Sequence, residues 1–241
     1  MIRVLVNGAA GRMGSIVRRF VGEDDRFTLA GAADISQKDG LPPVLPEVPA
    51  DVIIDFSFHT AMPALAAYAV QHNVALVAAT TGLTPEEEAA LTTAAEKIPV
   101  FRAANFSLGV ALLVRLARET ARAFPDADIE IVEAHHDRKQ DAPSGTALAL
   151  ADALRKERPE AEYVMGRSGH CPRTKNEIGI HALRYGNLPG THEVIVSTDF
   201  ETVTLRHEAH DRALFAKGAL EAAAFLAGKP AGMYSMEDLT K

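Results

Sequence analysis

Apolar positions along the chain fall into short runs separated by longer amphipathic stretches. Through the first hundred residues the runs at 2–6, 27–33, 52–56, 74–78 and 100–103 predict strands. Helical patterns follow a glycine-rich turn at residue 8 and recur near 61–71 and 85–97. Strand–helix alternation of this kind implies a parallel, doubly wound sheet, because parallel neighbours must be joined by a crossover. A long helix is predicted over 107–124, and then the pattern changes. Strand-like runs at 129–134, 162–165, 178–183, 193–198 and 202–207 are interrupted by only one helix, at 146–157, which implies a second, mostly antiparallel sheet. An alanine-rich amphipathic helix over 213–226 closes the pattern, and the proline-rich stretch 41–49 reads as a short surface connection. The expected fold class is therefore α/β: an N-terminal Rossmann-type doubly wound parallel sheet plus an α+β domain with a mostly antiparallel sheet.

The first strand and helix frame Gly8-x-x-Gly11-x-x-Gly14, one residue longer in its first interval than the usual dinucleotide fingerprint but subject to the same demands. Gly8 makes the tight turn, Gly11 allows backbone to approach a pyrophosphate, and Gly14 lets the helix close on the sheet. Arg12 lies in the turn, where a guanidinium meets a phosphate or an adenine face. The second strand ends at Asp34, twenty residues beyond Gly14, where a ribose-binding carboxylate belongs. The loops after the later strands (57–59, 79–82 and 104–107) reach the same carboxyl edge, where open α/β sheets bind ligands.

The densest chemistry lies in EAHHDRKQDAPSGTAL, residues 133–148. His135 and His136 stand near a strand end and should point to opposite sides, which gives them different tasks. Lys139 and Asp141 follow in a loop, and Ser144 is placed to cap a helix whose free N–H groups at Gly145 and Thr146 form an anion site. Imidazole and ammonium beside a bound anion point to proton delivery to a small acid. A solvated strand end and an ordinary cap would leave similar letters, but titratable groups this close to a helix start are a usual active-site recipe.

The 241 residues, 47% of them hydrophobic, suffice for one large or two small cores. A net charge of −7 with dispersed signs gives no footprint for nucleic acid. No run is long and apolar enough to span a bilayer, and no signal-peptide pattern precedes the first strand, so a cytoplasmic protein is expected. The single cysteine, Cys171, suits a reducing compartment. The other histidines lack compact ligand spacing, and no metal site is expected. Arg184 and Arg212 read as groups that steady an interface or the hinge rather than catalyse, and Arg173 and Lys175 as members of a solvated loop.

Taken together, GAAGRMG at Gly8, the Thr-Thr-Gly loop at Thr80, AANFSLGV at Ala103, the central segment at Glu133, IGIHALRYGNLPGTHEV at Ile178 and HEAHDRALFAKGAL at His207 resemble the dihydrodipicolinate reductases, also called 4-hydroxy-tetrahydrodipicolinate reductases, over nearly the whole length. The resemblance implies a dinucleotide-binding domain formed by residues 1–106 and 212–241. It also implies an inserted domain, 107–211, that binds substrate and assembles a homotetramer, with hinge closure between the two. It further implies hydride transfer from NADH or NADPH to a cyclic dicarboxylate in lysine and diaminopimelate biosynthesis. By the same resemblance His135 and Lys139 are the proton-handling residues, and His136, Ser144, Gly145 and Thr146 contact substrate. Gly8, Ala9, Ala10, Gly11, Arg12, Met13, Asp34, Ala79, Thr80, Thr81, Ala103, Ala104, Asn105 and Phe106 match the cofactor positions. Some relatives follow the ribose acid with an arginine for the 2′-phosphate; here Ile35 follows Asp34, which favours NADH, although Lys38 nearby softens that preference. Relatives often carry glycine at the Ala79 position. Two rivals stand beside this reading: a reductase of the same fold acting on another small acid, and a catalytically silent dinucleotide sensor.

Overall fold

A computed structural model describes residues 1–241 and divides into two compact units, Met1–Leu108 with Ala213–Lys241, and Gly109–Arg212.

The first unit is built on a six-stranded sheet in the order β11-β5-β4-β3-β1-β2, every neighbouring pair parallel. Its strands are β1 (Ile2–Asn7), β2 (Phe27–Ala33), β3 (Val52–Asp55), β4 (Ala75–Ala78), β5 (Pro99–Arg102) and β11 (Gly232–Tyr234). Strands β3 and β4 are buried at every position, as continuous apolar runs in the middle of a sheet with two covered faces must be. Helices α2 (Met62–His72) and α3 (Pro85–Ala95) pack a core of Leu5, Ile53, Met62, Leu76, Leu91 and Val100 on one face. Thr84 caps α3 with a full capping box, accepting from the Glu87 N–H while Glu87 accepts from its own, and Asn73 ends α2 in the left-handed conformation. On the other face lie α1 (Arg12–Glu23) and α6 (Ala213–Leu226). The alanine-rich helix is not a one-sided surface helix, since Ala216, Gly218, Ala219, Leu220, Ala222, Ala223 and Leu226 are all buried. Gly218 sits so close to the Phe106 carbonyl that any side chain there would collide with backbone. The proline-rich connection lacks regular structure, yet it pushes Leu45 into the core and accepts the Tyr68 hydroxyl at the Pro46 carbonyl. The three-residue β11 has no periodicity to announce it, and only its place beside β5 makes it a strand.

In the second unit β6 (Asp128–His135), β7 (Glu162–Met165), β8 (Glu177–Arg184), β9 (Gly190–Ser197) and β10 (Thr202–Ala209) form a sheet in the order β10-β9-β6-β8-β7. Its β10–β9–β6 half is antiparallel, as the run of strands implies, while β8 and β7 join in parallel. The parallel additions follow from connectivity: a chain that crosses over through α5 (Gly145–Glu157), and then through the 166–176 loop, re-enters each strand from the same end. Helices α4 (Leu108–Ala123) and α5 cover one face, packing Leu113, Ala117, Leu150 and Leu154 on Ile129, Ile131, Ile180 and Val194. The 166–176 loop is not free in solvent, because Arg173 is paired to Glu130 and Asp128, and Arg167 to Glu177. No helix of the model is long and apolar enough to cross a membrane.

Candidate active site

In the first unit the turn between β1 and α1 gathers the glycines. Gly8 has a φ of +74°, and a Cβ there would stand 2.5 Å from the Phe56 carbonyl oxygen, so it serves both the turn and the close approach of the β3 loop. A side chain at Gly14 would collide with the backbone of Gly8 and Ala9, which ties α1 to the turn. Gly11 differs: as the N-cap of α1 its added Cβ would meet nothing but the Gly8 carbonyl oxygen, at 3.1 Å. A side chain there would need that carbonyl to give by only a few tenths of an ångström, whereas a pyrophosphate lying on the α1 N-terminus would exclude it outright. Arg12 is exposed at the first helical position and Met13 follows half-buried. Asp34, at the end of β2, accepts from the Ala10 N–H at 3.0 Å and from the Ser36 hydroxyl at 2.6 Å. The Ser36 hydroxyl, against some burial and with help from backbone N–H groups, holds its carboxyl below the usual range, so it is an anion beside the turn at neutral pH. The β1/β3 boundary is also where the chain reverses its direction of winding, the topological switch at which such sheets bind dinucleotides.

The neighbouring loops share that edge. Asp55 at the end of β3 is fully buried and accepts from Asn7 at 2.8 Å and from the Thr80 hydroxyl at 2.6 Å, a structural carboxylate rather than a catalyst. Ala79 donates to the Asp55 carbonyl, and Thr81 is exposed. The Arg102 guanidinium holds the carbonyls of Thr80 and Ala103. Ala104 is exposed, the Asn105 side chain accepts from the Ser107 N–H, and Phe106 packs its ring on Phe101 and Phe56 with its carbonyl against Gly218. These residues fit a dinucleotide: a helix N-terminus with an open glycine, then a ribose-side carboxylate, then three loops at the carboxyl ends of β3, β4 and β5.

In the second unit the proton-handling candidates lie around Glu133, which is fully buried. Its Oε2 meets His135 Nδ1 at 2.6 Å, its Oε1 accepts from the Ser144 N–H at 2.9 Å, and Arg184 donates to both oxygens at 2.8 and 2.7 Å. Burial opposes ionisation of this carboxyl, but His135, Arg184 and the Ser144 amide outweigh it and hold it down to about 2. The Ser144 hydroxyl caps α5 by accepting from the Ala147 N–H, and it lies 3.0 Å from His192 Nε2. Burial, then the neighbouring His135, pushes His192 down to about 4. Gly145 and Thr146 occupy the first two helical positions of α5, and a Cβ at Gly145 would enter open space.

His135 and His136 diverge as the strand geometry requires. His135 belongs to β6, whereas the His136 amide donates to the Leu188 carbonyl and its Nε2 lies 3.1 Å from the Arg212 guanidinium. Burial, with Arg138 and Arg212 nearby, lowers the His136 pKa and keeps its ring neutral. Lys139 pairs with Asp141 at 2.8 Å, and the Asp141 carbonyl accepts from Arg184, so lysine loop and glutamate cluster are joined. Ser144, expected against substrate, uses its amide on Glu133 and its hydroxyl on Ala147 and His192. Glu133, Arg184 and His192 were absent from the sequence-derived site. The Glu133–His135 spacing of two on one strand was a usable signal; Arg184 and His192 arrive from β8 and β9, and only sheet register brings them in. No cluster of His, Cys, Asp or Glu is arranged to hold a metal.

Sheet, glycine turn and the buried carboxylate–imidazole cluster are those of a Rossmann-type oxidoreductase that uses a nicotinamide dinucleotide. Residues 2–106 match the family model described as dihydrodipicolinate reductase, N-terminus, and residues 109–240 match the one described as dihydrodipicolinate reductase, C-terminus. The chain belongs to the dihydrodipicolinate reductase family. It is 45% identical over 251 residues to the 4-hydroxy-tetrahydrodipicolinate reductase of Caldanaerobacter subterraneus subsp. tengcongensis, covering 100% of this chain and 99% of that one. To the enzyme of the same name from Alkaliphilus metalliredigens it is 41% identical, covering 99% and 98%. A solved structure of dipicolinate-bound dihydrodipicolinate reductase from Paenisporosarcina sp. TG-14 superposes with a TM-score of 0.80 at 27% identity over 99% of both chains.

Proposed function

We propose that this protein catalyses the NAD(P)H-dependent reduction of 4-hydroxy-tetrahydrodipicolinate to tetrahydrodipicolinate in lysine and diaminopimelate biosynthesis. The observation that carries the proposal is the junction at Glu133. One buried carboxylate holds both an imidazole, His135, and the start of α5, where Gly145 and Thr146 present N–H groups to an anion. A cyclic dicarboxylate needs both: donors for a carboxylate and an acid for the ring. The dipicolinate bound by the structural relative has that chemistry.

The nicotinamide, when bound, supplies the hydride. The chain's own residues do the rest. Gly145 and Thr146 grip a substrate carboxylate through the helix start, and the neutral His136, its Nε2 accepting from the Arg212 guanidinium, stands beside the same ligand. His135 and Lys139 supply the proton that balances the hydride as the 4-hydroxyl leaves as water. Lys139 must exchange its Asp141 partner for substrate to do so.

Asp34 followed by an exposed Ile35 favours NADH, since a charged carboxylate repels a 2′-phosphate and Ile35 offers it no cation. A homotetramer through the second face of the β6–β10 sheet is part of the same reading, as is a cytoplasmic setting, which the exposed thiol of Cys171 suits. That face carries Val132, Ile195 and the half-exposed Leu183, and the helices of its unit pack on the other side.

The test supplies purified protein with substrate made in situ from pyruvate and aspartate semialdehyde by the condensing enzyme, and follows NADH and NADPH oxidation in parallel. Substrate-dependent oxidation, faster with NADH, is expected. Cofactor binding without oxidation would point instead to a reductase of another small acid or to a sensor.

A further inference from the structure

Accepting the proton-handling role of His135 from the reading above, the arrangement behind that ring points to one further assignment. His135 has two nitrogens in unlike surroundings. Nδ1 lies 2.6 Å from the Glu133 carboxylate, and no protein group bonds to Nε2. Beneath Nε2 is the backbone of Gly190, where an added Cβ would stand only 2.8 Å away. Glu133 in turn is fixed on every side, by the two-pronged Arg184 and the Ser144 amide, and its side chain is wholly buried. A carboxylate so placed is held as an anion, and an anion can only accept, so the proton between it and the imidazole belongs to the ring.

We propose that Glu133 is a positioning residue for the reduction: it fixes His135 in the tautomer with Nδ1 protonated, leaving Nε2 over Gly190 as the nitrogen that exchanges the catalytic proton. When Nε2 gives its proton to the substrate the ring becomes neutral with Nδ1 still protonated, and solvent returns the proton to Nε2. Glu133 stays ionised throughout, and Arg184 keeps it so. The same carboxylate anchors Ser144, so the proton-exchanging nitrogen and the anion-binding helix start keep a fixed spacing.

The experiment reads the tautomer directly. Ring-labelled [15N]histidine protein without substrate is examined by NMR above the titration range, with His135 assigned by its loss in His135→Gln. The expected spectrum has the neutral His135 ring protonated at Nδ1, with a hydrogen-bonded downfield proton. A ring protonated at Nε2 in the native protein overturns the proposal, whatever the variants do. In Glu133→Gln the Nδ1 proton signature is lost and kcat falls by roughly 10- to 100-fold, part of what general acid–base catalysis supplies, with NADH affinity unchanged. In Gly190→Ala the Nδ1 signature is retained while kcat falls similarly. A folded Glu133→Gln with native tautomer and kcat within about twofold also overturns it. Because the tautomer and cofactor affinity are measured without turnover, a native protein that fails to reduce 4-hydroxy-tetrahydrodipicolinate defeats the reading of function while leaving Glu133 to be judged on the spectrum.

Discussion

Lys139 holds its ammonium 2.8 Å from both Asp141 oxygens, and its side chain is largely shielded. Under the proposed mechanism, removing it deletes a proton source without touching the glycine turn, the α5 cap or either core. Lys139→Ala is therefore expected to lower kcat by about 10²- to 10⁴-fold, the range of general acid–base catalysis, and to leave the NADH dissociation constant unchanged in a fluorescence titration. A near-native rate would remove Lys139 from the mechanism. Two buried residues of the cluster contribute to the pH dependence of stability. His192 has its pKa pushed down from 6.5 to about 4 by burial and by His135. Glu133 is held at about 2 against an ordinary 4.5 because its partners overcome its burial. Both native values lie below the unfolded ones, so the unfolded chain takes up the protons first and stability falls as pH falls. His192 acts between about pH 6.5 and 4, and Glu133 between about 4.5 and 2, each on the order of 3 kcal/mol. Urea midpoints measured from pH 8 to 3 should show this decline, and His192→Gln should flatten its upper part alone.

At the scale of the element, the turn before α1 separates two kinds of glycine that look alike in sequence. Gly14 faces backbone at contact distance, whereas Gly11 has a φ of −67°, which any residue adopts, and almost nothing within reach. Gly14→Ala should cost several kcal/mol in denaturant unfolding, as forced backbone displacement does. Gly11→Ala should change stability by less than about 1 kcal/mol, a modest loss of cap quality, yet weaken NADH binding at least tenfold by blocking the pyrophosphate. Equal effects at both positions would contradict the cofactor placement. Most elements were legible at this scale, since β1, β2, α3 and α6 carry period, caps and punctuation within a single window. The three-residue β11 carried none, and the parallel entry of β7 and β8 was not local information at all: strand direction depends on where the crossover lands.

At the scale of the whole molecule, the second face of the β6–β10 sheet is the surface to test. Leu183 is 48% exposed there and lies beside Ala134, its register partner on β6. If copies associate through this face, Leu183→Asp should shift sedimentation from tetramer toward smaller species without unfolding, because the position is half open in the single chain. An unchanged sedimentation coefficient would place the interface elsewhere.

By itself the sequence determined the alternation that builds the parallel sheet, the glycine turn with its following carboxylate, and the helix start beside two histidines. Each of these is a pattern of neighbours, set by dihedral preference and by the periods of helix and strand. Tertiary structure alone decided how the site is wired. Arg184 and His192 lie about fifty residues beyond the histidines in sequence, and strand register lays them beside Glu133. Burial then removes water from that carboxylate, so its charge is shared among imidazole, guanidinium and amide rather than solvent. A single buried charge with three fixed donors has one low-energy arrangement, and nothing in the local sequence around Glu133 states which donors they will be.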